Sequence, residues 1–112
     1  PFIDKSAGAD IGNWIEVLRK TRRTFDKDTL YVFGHAGSGY EVTGTSRDLK
    51  AMAHFLKMAL RYGKKAKKRG ETLDELVAKT TEIPGAPEFQ GDERGARRVL
   101  SAVYAELDEQ KA

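Results

Sequence analysis

The chain contains no cysteine, three prolines and two histidines in 112 residues. Without cysteine there are no disulfides, no Cys-rich zinc sites and no thiol nucleophiles. A catalytic zinc takes three protein ligands and a water, yet His35 and His54 stand alone and share no ligand spacing. No apolar run approaches membrane-spanning length, and no basic-then-apolar targeting segment opens the chain. Serines are few and none occupies a nucleophile elbow. The excess of one sign of charge is also small, with 20 basic against 17 acidic residues and a net charge of +3. That balance is no nucleic-acid signature, so neither nucleic acid nor a membrane is expected as a partner. The length fits one domain, 1–112, with a modest core. Because the chain opens at Pro1 without an initiator Met, it is expected to be part of a longer protein or a processed product.

What is present concentrates at residues 29–43, TLYVFGHAGSGYEVT. Leu30-Tyr31-Val32-Phe33 is β-branched and aromatic and predicts a strand buried in a sheet. It runs into a glycine-rich loop in which Gly34, Gly37 and Gly39 let the backbone turn and pass close to a neighbour. His35 follows the strand at once, at the rim where a fixed imidazole can bind a metal or move protons. A histidine capping a loop backbone group explains the residue equally well. Phosphate motifs fail here. Tyr40 stands where a P-loop needs Lys, and Val42 where a dinucleotide fingerprint needs its third glycine.

Helical periodicity accounts for most of the rest. Asp10 reads as an N-cap for a helix over about 11–24, with Ile11, Trp14, Ile15 and Leu18 on one face and Phe25 further along it. Thr45 and Asp48 form a capping box for a long helix marked by Leu49, Met52, Ala53, Leu56 and Leu60, stopped by Gly70. Thr72 and Glu75 form another for a short helix. Residues 80–92, with two prolines and two glycines, predict a crossing loop, and a last helix is expected over about 93–109. His54 falls mid-helix and reads as a packed or surface residue. The run RYGKKAKKR at 61–69 supplies Lys64, Lys65, Lys67, Lys68 and Arg69 as a candidate anionic contact, although a solvated helix C-terminus explains it directly. One firm strand, with a weak second at 40–43, cannot satisfy its own backbone when buried. The remaining strands are expected from another part of the same protein or from a second copy.

The order of helix, strand ending in Gly-His, glycine-containing loop, Thr-x-x-Asp-Leu and long helix resembles the C-terminal portion of metallo-β-lactamase-fold hydrolases. The matching residues are Phe33-Gly34-His35-Ala36 and Arg47-Asp48-Leu49, followed by Gly70-Glu71-Thr72-Leu73-Asp74-Glu75. The opening Pro1-Phe2-Ile3-Asp4, then Gly8-Ala9-Asp10-Ile11 and Trp14-Ile15, is similar to the segment after that family's metal-bridging aspartate. The resemblance implies an α/β fold, the C-terminal half of an αββα sandwich, with about four helices around one or two strands and an incomplete sheet. It implies a zinc site of one or two ions with His35 as the last ligand. There a metal-bound hydroxide would attack an ester, thioester, amide or phosphodiester substrate. The family's His-x-His-x-Asp-His cluster is absent from this sequence, and Phe33 and Ala36 replace the common Pro and Gly around the histidine. The chain alone is therefore expected to hold no zinc stably and to be inactive. The alternative is a non-catalytic helical α/β module that meets an anionic partner through its basic helix end.

Overall fold

The computed structural model describes residues 3–34, 41–86 and 93–111. After a single 3-10 turn at Lys5–Ala7 come helix α1 (Ile11–Thr24), strands β1 (Tyr31–Val32) and β2 (Thr43–Gly44), and helices α2 (Ser46–Lys68), α3 (Leu73–Lys79) and α4 (Glu93–Lys111). The described residues form a broadly α/β chain in which helices dominate, with one antiparallel pair of short strands. None of the described helices is long and apolar enough to cross a membrane.

Local chemistry sets the helix ends. Asp10 accepts a hydrogen bond from the Asn13 amide at 2.7 Å, and this cap starts α1 as its sequence predicts. At α2 the Thr45 amide donates to Asp48 Oδ2 at 2.8 Å, closing the capping box. The same device opens α3, where the Thr72 hydroxyl accepts from Glu75 N at 3.2 Å. The far end of α2 is closed by Gly70, whose φ of 80° only glycine adopts without strain. Its amide donates to Lys67 O at 3.0 Å while the Glu71 amide reaches Ala66 O at 3.1 Å, the paired bonds of a Schellman ending.

Packing follows the apolar stripes. Phe55, Leu56 and Ala59 of α2 meet Val99, Leu100 and Val103 of α4, while Ile11 and Ile15 of α1 and Leu76 and Val77 of α3 complete the same core. Trp14 and Leu18 pack against its edge, in keeping with a structural role for the tryptophan. Two buried features were not evident from composition. Gly63 brings α2 so close to α4 that an added Cβ would lie 2.4 Å from Val103 Cγ1. Glu106 of α4 is 1% exposed and serves as an acceptor for the first turn of α1.

The strand region departs from its expectation. The segment at 30–33 was expected to be buried, but β1 is two residues long and Leu30 and Val32 are 67% and 74% exposed. Its partner is Thr43–Gly44 rather than 40–43, in the register Tyr31 opposite Gly44 and Val32 opposite Thr43. Apolar, β-branched sequence favours a strand, but burial needs a covering layer; Tyr31 and Phe33 are half-buried, whereas no described residue covers Leu30 and Val32. Phe25 is likewise exposed, because it is the extended C-cap of α1 and has left the helix face.

Candidate functional site

The sequence singles out two regions, and α2 holds them apart. The loop bearing His35 re-enters the described structure at 41 and joins α2 at its N-terminus, whereas Lys64 to Arg69 occupy the other end. Roughly twenty residues of helix separate Gly44 from Lys64, about 30 Å at 1.5 Å per residue. The described flank of the first region at 41–45 and the basic end therefore lie at opposite ends of α2.

At the first region, Gly34 is exposed just beyond β1, while His35, Gly37 and Gly39 lie outside the described residues. The hairpin itself has one apolar outward face, and among the described residues no further strand pairs with its edges. The Phe33 amide donates to Val42 O at 2.7 Å, so backbone pairing runs inward at Phe33 and, by the alternation of an antiparallel ladder, outward at Val32. Leu30 and Val32 share a face, while Val42, opposite Phe33, is exposed on the other face. No residue from Phe25 to Thr45 joins the core among those described.

Among the described residues no group of three or more His, Asp or Glu side chains is placed to hold a metal. His54 is accounted for differently. Its Nε2–H donates to Gly85 O at 2.9 Å, tying the crossing loop to α2 from an exposed position.

At the second region the five basic residues separate into two groups. Lys67 is half-buried, pairs with Asp108 and lies 4.7 Å over the Tyr104 ring. Arg69 pairs with Glu71 at 2.8 Å, and Lys79 holds the other oxygen of the same carboxylate. Lys64, Lys65 and Lys68 are exposed and pair with no described residue. So Lys67 and Arg69 are committed to structure and the other three remain open to a partner.

The hydrogen bond from Lys79, with help from Arg69, holds the Glu71 carboxyl below its ordinary value of 4.5. A carboxyl depressed in the folded state stabilises the protein above its unfolded pKa, and that contribution fades as pH falls through the folded value. Glu71→Gln is expected to lower the urea midpoint slightly at neutrality and to converge with the parent below about pH 4.5, so that the acid limb flattens. An unchanged acid limb would remove Glu71 from the account. Tyr104 is bound into the same corner. Burial, then the Glu71 charge, push its phenol above the usual range, and its hydroxyl donates to Glu71 O at 3.0 Å.

Compared with protein families, curated proteins and solved structures, the chain matches none.

Proposed function

We propose that this chain is the C-terminal part of a metallo-β-lactamase-fold metal-dependent hydrolase, with His35 as one zinc ligand and the remaining ligands on the preceding part of the protein. The observation that carries the reading is the hairpin. Its outward Leu30 and Val32, its exposed Val42 and its open edge are what a sheet lacking its other strands presents. The Gly-His step directly after β1 and the Thr-x-x-Asp-Leu entry into α2 support it from sequence. On this reading the isolated chain is inactive, exposes apolar surface and self-associates.

The test is metal content of the whole protein, read by elemental analysis, with and without His35→Ala. The expected result is one or two zinc ions per intact chain and a marked loss in the variant. Equal zinc in both proteins would sink the assignment of His35. So would a strictly monomeric isolated chain that leaves an apolar-surface dye unbound, because the open hairpin would then have no missing sheet to explain.

A second reading is a binding module that uses the basic end of α2 on an anionic partner. Lys64, Lys65 and Lys68, exposed and without a described acidic partner, favour it.

A further inference from the structure

The basic end of α2 is the last part of a longer feature. The exposed residues of α2 are Arg47, Asp48, Lys50, His54, Lys57, Arg61, Lys64, Lys65 and Lys68. After Asp48, every one is Lys, Arg or His. At 100° per residue they fall within a band of about 100° along the helix. The row from Lys50 to Lys68 is about 27 Å long, with a step every three or four residues. None of Lys50, Lys57, Arg61, Lys64 or Lys68 forms an ion pair with a described residue.

Ordinary helix physics accounts for only part of this row. Lysines in the last turn are favoured by the helix dipole, but the effect fades within one turn, so it cannot cover Lys50, Lys57 and Arg61. Lys57 with Arg61, Arg61 with Lys65, and Lys64 with Lys68 are like-charge pairs four residues apart, each mildly destabilising. The neighbouring helices expose both signs. On α1, Glu16 pairs with Arg19 at 2.9 Å beside the exposed Lys20 and Arg23, and α4 carries Arg97 and Arg98 near its start and Asp108 and Glu109 near its end. A single-sign face on one helix, at odds with local stability, points to a partner that supplies the opposite charge.

The face also limits what that partner is. The apolar side of α2 is buried in the core, so the helix has nothing to insert into a lipid surface. Its exposed band holds no aromatic or large apolar side chain, the anchors that protein interfaces and single-strand platforms need. A straight row of point charges suits a regular line of phosphates. We propose that α2 binds the phosphate backbone of duplex nucleic acid without reading sequence, through Lys50, Lys57, Arg61, Lys64 and Lys68. This rests on the anionic-partner reading and is independent of the hydrolase reading. It goes against the near-neutral net charge, which averages over a sharply segregated surface.

The test is fluorescence anisotropy of a labelled mixed-sequence DNA duplex against salt. With about five phosphates engaged, log K should fall with log salt at a slope near −4.5, about 500-fold between about 50 and about 200 mM salt. Lys57→Gln, Arg61→Gln, Lys64→Gln and Lys68→Gln combined should reduce the slope by about four. The α1 pair Arg19→Gln and Arg23→Gln should leave it unchanged. Far-UV circular dichroism and the urea midpoint verify that the combined variant is folded. Duplex binding that survives the α2 substitutions would overturn the proposal. So would binding of a poly-glutamate peptide without binding of duplex, which would leave the anionic-partner reading standing. Binding of neither would overturn both.

Discussion

Glu106→Ala is expected to lower the free energy of unfolding by about 4 kcal/mol, roughly a thousandfold in the folding equilibrium. The side chain is 1% exposed on α4, and its two oxygens accept from the first amides of α1, Ile11 N at 2.5 Å and Gly12 N at 3.0 Å. The first amides of a helix have no partner within it, and the positive end of the helix dipole favours a carboxylate there. Lys5 adds a cation, with Nζ 3.4 Å from Glu106 Oε1 and 3.1 Å from Glu109 Oε2. Desolvation, the largest single influence on that ammonium, acts to lower its pKa. The hydrogen bonds and charges of Glu109 and Glu106 together outweigh it and leave the pKa raised. Alanine would remove the acceptor, leave two amides facing a void and take from Lys5 one of its two carboxylate partners. Glu106→Gln separates charge from volume. It keeps the shape but turns one acceptor into a donor aimed at an amide, so it should lose more than half as much. Chemical denaturation of the three proteins checks both numbers. A glutamine variant as stable as the parent would mean that packing alone matters at this position.

Gly63→Leu should cost about 3 kcal/mol through overpacking. The clash begins at the first added carbon, 2.4 Å from Val103 Cγ1, with Leu107 Cδ1 at 3.7 Å. Val103 is buried and β-branched, so it has no alternative rotamer into which to retreat cheaply. Gly63→Ala is subtler, since alanine gains about 1 kcal/mol of helix propensity while meeting the same contact. Combining it with Val103→Ala should recover part of the loss, giving a coupling of about 1 kcal/mol in a double-mutant cycle. Additive effects would show that α2 and α4 do not meet at this point.

The helices were legible because their ends are written in short-range chemistry. Asp10, the pair Thr45 and Asp48, the pair Thr72 and Glu75, and Gly70 each act within a few residues of themselves. The fate of Leu30 and Val32 was not legible in the same way. Strand propensity is local, whereas burial depends on a layer the chain must bring from elsewhere. Glu106 was missed because glutamates near a helix end are ordinarily solvated. A signal was nonetheless present. It stands seven residues after Val99 and three after Val103, on the apolar stripe of α4. Gly63 stands seven after Leu56, on the stripe of α2, where a glycine signals close helix approach. Of the candidate site, the sequence shows as a local run only the part of the basic row from Arg61 onward. Its earlier members are interleaved with core residues and show no local run, and only the helical spacing joins Lys50 to Lys57 and Arg61. His35, the ligand proposed from sequence alone, lies outside the described residues.

The bridge from Glu106 to α1 also has a consequence in time. Amides in the first turn of a helix normally exchange with solvent through fraying of their own end. Here the protons on Ile11 N and Gly12 N are held by a residue 95 and 94 positions later. Their exchange in deuterated water should follow the detachment of α4 rather than the loosening of α1. Two amides near the start of the chain thus become clocks for the opening of its last helix.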